Sequence, residues 1–374
     1  MKRIIALGII LFGAINLFAQ PASVIMLRQQ WFSQTTNQGI VPLAYQFLTQ
    51  NTGINLTNGV LTTPLAVDAP LTLVGTTQLW TAETFPPVDI NLTKGLDLLN
   101  AKYPLGDYTL KIGYNSFLGD KVKTMPLSLQ AEFPANAPAI TKPTPLRPLT
   151  ESTTFEWLPS NGDSNDSVSF ILFEGNFSPE LLTQLQSGAI SIEEALGQTF
   201  SLLYPASLTD YASIKLPVDQ TSISITNILP HMDHLAIVTY NTVQNKQTGP
   251  EILLEQVGSL SGNVVFFPRV VNGLYGMPIG YDYRWSEWFG GYTDSAAPWI
   301  WQQELGWLCF FAEDSSSIFW YDMVTGWNWT SESIYPFMYN FETETRQGAW
   351  LFYMKESTQP RWFYNYTLKV WEQL

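Results

Sequence analysis

Few residues in this chain are suited to chemistry, and each has a competing structural use. The two histidines lie together in His231-Met232-Asp233-His234. A His-x-x-His pair around a carboxylate can hold a metal, but no third or fourth soft ligand accompanies it, and a turn entering a strand explains the spacing equally well. Asp163, Asn165, Ser167 and Glu174 imitate a calcium loop, but Val168 stands where that loop needs glycine. Residues 168 to 173 alternate as a strand, which would carry Glu174 roughly 20 Å from Ser167, too far to close around one ion. No metal and no cofactor is expected. The single cysteine, Cys309, sits in Trp307-Leu308-Cys309-Phe310-Phe311, where a buried thiol behaves as a small hydrophobe.

Hydrolase machinery is equally thin. A serine or cysteine nucleophile needs a base, and two adjacent histidines are poor provision. No GxSxG, HExxH or phosphate loop occurs. Asp282, Glu287, Asp294 and Glu304 lie among aromatic residues, and a pair of them could run glycoside hydrolysis. Nearly any acidic chain offers such pairs, so no catalytic residue is assigned, and an extracellular glycoside hydrolase or lyase stands as the alternative reading.

The aromatic residues offer another chemistry. Eleven of fourteen tryptophans fall between Trp285 and Trp371. Flat indole and phenol faces stack on pyranose rings while a few polar groups fix hydroxyls. In Trp327-Asn328-Trp329-Thr330 the two indoles share one strand face, and Trp299 and Trp301 do the same. Trp307-Leu308-Cys309-Phe310-Phe311 and Trp350-Leu351-Phe352-Tyr353 are apolar on both faces and are expected in the core. Trp299, Trp301, Trp327, Trp329 and Tyr335 are therefore the candidate glycan-stacking residues.

A repeat positions these rings. Gly306-Trp307, Gly326-Trp327, Gly348-Ala349-Trp350 and Lys369-Val370-Trp371 start units separated by 20, 22 and 21 residues. Phe319-Trp320-Tyr321-Asp322 and Trp362-Phe363-Tyr364-Asn365 occupy equivalent places 43 apart, and Pro298-Trp299-Ile300-Trp301 matches Pro336-Phe337-Met338-Tyr339, 38 apart. The larger unit is a pair of hairpins that must stack on its neighbours.

Upstream, residues 21 to 133 read as a β-sandwich: Tyr108, Leu110, Ile112 and Tyr114 alternate with polar or small residues, after a short helix over residues 93 to 102. Five prolines between Pro134 and Pro148 mark residues 134 to 148 as an extended linker. Residues 149 to 257 alternate as a second sandwich around Phe155, Trp157, Phe170 and Ile237, with two short helices expected from Ser178-Pro179 and the capping box at Ser191. Gly258-Ser259-Leu260-Ser261-Gly262 reads as a linker, residues 258 to 284 as linker and leading strand, and residues 285 to 374 as the repeat domain. The expected fold is mainly β: two sandwiches of immunoglobulin or fibronectin type III character, then an antiparallel aromatic meander.

Two resemblances follow. Trp157 on an early strand, and Leu229-Pro230 leading into a long alternating strand, resemble the fibronectin type III sandwich. In that family an aromatic hydroxyl bonds back to the chain at this corner, and His234 takes its place here. The phrases Gly306-Trp307-Leu308, Gly326-Trp327-Asn328-Trp329, Tyr335-Pro336-Phe337-Met338-Tyr339 and Arg361-Trp362-Phe363-Tyr364-Asn365 resemble the C-terminal aromatic repeat of large secreted proteins from environmental bacteria. That likeness implies an architecture and an exported location. A looser likeness to choline- and glucan-binding hairpin repeats rests on the twenty-residue period and the Gly-Trp starts, without their Lys- and Gly-rich turns.

Lys2 and Arg3, an apolar run over residues 4 to 18, and Ala19 before Gln20 form an export signal, residues 1 to 19. No later run of eighteen apolar residues occurs, so no transmembrane segment is expected after cleavage. The net charge of −14 disfavours nucleic acid. Charged residues make up 13% of the chain against roughly 25% in typical soluble domains. The reading is a secreted, non-enzymatic surface or extracellular protein that adheres to polysaccharide or another cell-surface component through its C-terminal repeat. A structural envelope component without ligand is the further alternative.

Overall fold

Period-two alternation yields strands almost throughout the computed structural model, which describes all residues except 1–22, 36–38, 53–55, 75–77, 87–93, 117–118, 135, 161–165, 178–199, 206–214, 248–252, 313, 345–346 and 359. The expected export signal, both helices expected near Ser178 and Ser191, and Asp163 and Asn165 lie outside the described residues. The chain is mainly β, with twenty-seven strands and the one short helix α1 (Gly95–Lys102) among the described residues. None of the described helices is long and apolar enough to cross a membrane.

In the first sandwich, β3 (Leu56–Thr62), β7 (Gly106–Ser116) and β8 (Gly119–Leu129) belong to a four-stranded sheet. It faces β1 (Ser23–Thr35) and β2 (Gly39–Thr52), and Val24, Met26, Phe47, Leu110, Ile112 and Leu127 fill the space between. The helix forms where leucine periodicity places it, and Leu99 packs into this core. Gly95 is required there, because a Cβ would lie 1.9 Å from the Pro86 carbonyl oxygen. Tyr108 is wholly buried at the start of β7, and its hydroxyl donates to the Pro104 carbonyl at 2.6 Å. This is the tyrosine corner of immunoglobulin-like sandwiches.

The second sandwich sets β9 (Ile140–Lys142), β10 (Ser152–Trp157) and β14 (Ser222–Thr226) against β11 (Asp166–Gly175) and β15 (Asp233–Gln247). Trp157 stacks on Phe170 at 5.5 Å with an 11° interplanar angle, beside Phe155 and Phe267. The proline-rich segment contributes to this layer: Ile140, inside the expected linker, pairs with Trp157 and is buried.

The Gly-Ser stretch at 258–262 is a correction. It lies within β16 (Leu253–Phe267), which runs antiparallel to β15 and parallel to β1. The two sandwiches thus share one nine-stranded sheet. Val257 serves the first core, while Val265 and Phe267 serve the second. Glycine is needed at position 262 because the Trp31 ring seats on it, where a Cβ would meet the ring at 2.4 Å. Ser259 donates from its hydroxyl to the Ala131 carbonyl at 2.6 Å.

The C-terminal sheet is an antiparallel meander of eleven strands, β17 (Met277–Gly280) through β27 (Val370–Gln373), paired in chain order. Its hairpins share a turn. Ser286, Gln302, Asp322 and Asn365 each stand four residues before Gly290, Gly306, Gly326 and Lys369, whose φ values are 85°, 75°, 75° and 57°. In three of these turns the leading side chain accepts backbone N–H groups. Gln302 accepts from Glu304 and Leu305 at 2.7 and 2.6 Å, Asp322 from Val324 at 2.9 Å, and Asn365 from Thr367 and Leu368 at 3.0 Å. A short polar side chain followed by a left-handed residue is turn chemistry written into the sequence.

One face of this sheet closes on itself. Phe289 touches Phe310, Trp320 and Tyr335 at 5.3, 5.8 and 5.5 Å between ring centroids. Arg361 pairs with Asp322 at 2.7 Å and donates to the Leu305 carbonyl at 3.1 Å. Contacts across so many strands require the sheet to curl around this face, whose core includes Ile300, Leu308, Ile318, Met338, Leu351 and Phe363. The opposite face is turned outward.

Candidate functional site: the outer aromatic face

Strand parity and register assign the outer face. Trp301 stands opposite Trp307 across the Gln302–Gly306 turn. Trp299, Cys309, Tyr321 and Trp327 form a row over four adjacent strands, and Phe311, Phe319, Trp329, Tyr339 and Trp350 form another over five. Phe337, Phe352, Tyr364 and Trp371 form a third. Adjacent strands lie roughly 4.8 Å apart, so each row is a near-continuous ladder of rings. Within the ladders the rings meet mostly at steep angles, as in Tyr339–Trp350 (5.7 Å, 71°), Trp329–Trp350 (6.0 Å, 74°) and Tyr364–Trp371 (5.5 Å, 63°). Edge-to-face packing matches positive ring edges to negative ring faces and holds each ring in place.

These rings are packed together but not covered. Trp307 is 51% exposed, Trp371 49%, Trp327 44%, Trp350 43% and Trp299 37%. No charged residue occupies any of the three rows. These rows form a contiguous, partly exposed apolar surface on the outer side of the sheet.

The expected candidates divide accordingly. Trp299 and Trp327 are exposed on this face, and Trp301 and Trp329 are half-buried within it. Tyr335 is a correction: it is buried in the core, edge-on to Trp288 at 5.6 Å. It precedes Pro336 in the turn ahead of β24 (Phe337–Asn340), so strand alternation does not reach it, and its ring turns inward. The two strands expected wholly in the core are a second correction. In β21 (Gly306–Phe311), Leu308 and Phe310 point inward while Trp307 and Phe311 are exposed. In β25 (Ala349–Tyr353), Leu351 and Tyr353 point inward while Trp350 is exposed. Trp307, Phe311, Phe319, Tyr321, Trp350, Trp362 and Trp371 thus join the face, and cross-turn register from Trp301 would have found the first of them. Cys309 is buried beneath its neighbours, as its apolar setting implied.

The polar candidates are engaged elsewhere. His231 is exposed, whereas His234 is wholly buried with its Nε2 3.8 Å from a Glu174 carboxylate oxygen. Burial pushes the His234 pKa down to about 4, against the opposing pull of Asp233. Among the described residues no cluster of three or more His, Cys, Asp or Glu side chains is placed to hold a metal. Asp233 accepts two hydrogen bonds from the Arg284 guanidinium at 2.9 and 2.7 Å and one from the Arg269 backbone N–H at 2.8 Å. Asp294 accepts from the Arg269 guanidinium at 2.8 Å. Two carboxylates and two guanidiniums therefore join the corner of the second sandwich to the first strands of the meander. Of the four carboxylates among the aromatics, Asp294 is held in this network and Glu304 accepts the Glu356 backbone N–H at 3.1 Å. Asp282 and Glu287 are exposed.

No protein-family model matches the chain, and no curated protein matches it. Among solved structures, a two-domain fibronectin type III segment of chicken tenascin is similar at 11% identity and a TM-score of 0.17, covering 59% of this chain and 90% of that one. The FN1-FN3 domains of chicken CNTN1 are similar at 9% identity and a TM-score of 0.21, covering 67% and 70%. The likeness to fibronectin type III domains is weak, and no function is carried across it.

Proposed function

We propose that this is an exported adhesion protein whose outer aromatic face binds a neutral polysaccharide or cell-surface glycan. The observation that carries the reading is the uncharged ladder of partly exposed rings running over the strands of the meander. A pyranose presents apolar C–H faces bordered by hydroxyls, and flat aromatic faces are their usual complement. The face is built almost wholly of Trp, Tyr and Phe rather than Leu, Ile or Val, which suits flat rings better than irregular protein surfaces. The chain's negative charge disfavours anionic partners such as nucleic acid.

The test is depletion of the full-length mature chain from solution by insoluble cellulose, chitin, β-glucan and peptidoglycan. At least one is expected to retain the wild type. The double variant Trp327→Ala/Trp350→Ala is expected to bind that material at least about tenfold more weakly, since stacking contributes roughly 1 kcal/mol per ring pair and a factor of ten is 1.4 kcal/mol. Retention by none of the four, or unchanged retention of the double variant, would overturn the reading and leave a purely structural role.

A further inference from the structure

The described residues leave the outer face uncovered. Twelve of its rings, from Tyr283 and Trp285 on β18 (Tyr283–Ser286) to Trp371 on β27, are each 36–51% exposed. An aromatic side chain has roughly 150–250 Å² to bury, so twelve rings exposed by about two fifths leave about 1,000 Å² of aromatic surface in water. The largest apolar patch on an ordinary monomer is roughly 300–600 Å².

Three properties of this surface suit a second copy of itself. Its area is sufficient, because a standard interface covers about 800 Å² on each partner. The sheet curls away from this side, so two copies would meet along the middle of the ladders. Contact over half of the rings still covers about 1,000 Å² in total, the size of a reversible pair.

Its charge is suitable as well. A face of one sign repels its own twin, whereas the three rows hold no charged residue although the chain carries a net charge of −14. The acidic excess therefore lies off the contact and keeps the pair weak. Finally, the cores of interfaces are rich in Trp, Tyr and Phe and poor in charge, as these rows are. Neighbouring rings stand steeply to one another, at 71° for Tyr339 and Trp350, so the rows present both edges and faces. Edges of one ladder can then meet faces of another.

We propose that the outer aromatic face pairs with the same face of a second copy, forming a reversible dimer. Its two-fold axis passes near Trp329, the middle of the row that runs from Phe311 to Trp350 over five strands. Such a pairing sets identical patches against each other and closes after two copies. The proposal goes beyond the glycan reading, since it states what covers these rings when no glycan does.

Sedimentation velocity of the full-length mature chain is expected to show monomer passing to dimer, and no further, across the micromolar range. The double variant Phe319→Lys/Tyr321→Lys sets like charges against each other across the axis and should weaken the dimer at least about tenfold. Trp350→Ala, expected to weaken it severalfold, serves if the lysine variant loses the wild-type circular dichroism. A chain that stays monomeric throughout, or a dimer unchanged in both variants, overturns the pairing. Species that keep growing with concentration overturn the two-fold closure. Polysaccharide retention by a strictly monomeric chain overturns the pairing alone. A dimer weakened by these variants, with retention on none of the four insoluble materials, supports the pairing and overturns the glycan reading.

Discussion

The second sandwich and the C-terminal meander use the same aromatic residues on opposite sides of their sheets. In the sandwich, Phe155, Trp157, Phe170 and Phe267 lie between two sheets and are buried. In the meander, Trp320 is buried, yet Trp327, seven residues later, is 44% exposed. A second sheet covers the sandwich's aromatics, whereas the meander covers one face by curling and leaves the other open. Aromatic rings on the open face contribute little to folding, because much of their surface stays in water. Their abundance there calls for a different cause, and the glycan contact proposed above would supply one.

The largest expected effect tests that contrast directly. Trp320→Ala should cost about 3–5 kcal/mol, the usual loss for truncating a buried tryptophan. Trp327→Ala should cost less than about 1 kcal/mol, apart from its tilted contact with Phe311 and its edge contact with Tyr321. Urea unfolding of the full-length chain, followed by far-ultraviolet circular dichroism, measures both. If Trp327→Ala proves as damaging as Trp320→Ala, the outer face is structural and the contrast collapses.

The same contrast explains which parts of the fold were legible in the sequence. The meander was readable because its period and its turn residues are local signals. The outward aromatics of β21 and β25 were not, because pattern reading equates an apolar residue with an inward one, and these strands are apolar on both faces. Only the pairing of Trp301 with Trp307 assigns Trp307 a side. Gly258 to Gly262 reads as a linker because glycine and serine signal loose chain, whereas Gly262 is small because it seats the ring of Trp31, far away in sequence. Tyr335 failed for the opposite reason: its ring lies outside any strand, so parity says nothing about it.

A smaller effect separates the two sandwiches. The first closes its corner with Tyr108, whose hydroxyl reaches the Pro104 carbonyl. The second places His234 there, buried and held near a pKa of about 4 with Glu174, Asp233 and His231 around it. An unfolded histidine titrates near 6.5, so between that pH and about 4 the unfolded chain takes up a proton that the native chain refuses. Stability should therefore fall as pH drops through this window, by about 3 kcal/mol in all. Burial pushes the Glu174 pKa up, which shifts the balance the opposite way and makes Glu174→Gln the proper background. In that background, urea midpoints should decline from pH 6.5 to 4, and adding His234→Phe should remove the part due to the imidazole. An identical decline in both variants would assign the pH dependence to other groups.

The smallest effect concerns what holds the meander's strands in register. Sandwich strands are kept in place by a facing sheet, but short hairpins depend more on their turns. Gly290, Gly306 and Gly326 take the left-handed position without penalty, while Lys369 occupies it at φ 57°. A non-glycine residue there costs roughly 1–2 kcal/mol, offset in part by the greater chain entropy that glycine loses on folding. Lys369→Gly should accordingly stabilise the chain by about 0.5–1 kcal/mol. Gly306→Ala should destabilise it by about 1 kcal/mol, for conformational reasons alone, since an added Cβ meets nothing within 4 Å. The two substitutions sit at equivalent turns and are expected to have opposite signs in urea unfolding. If both destabilise, the left-handed position is not what sets these hairpins, and the meander must be held by its inner core as the sandwiches are.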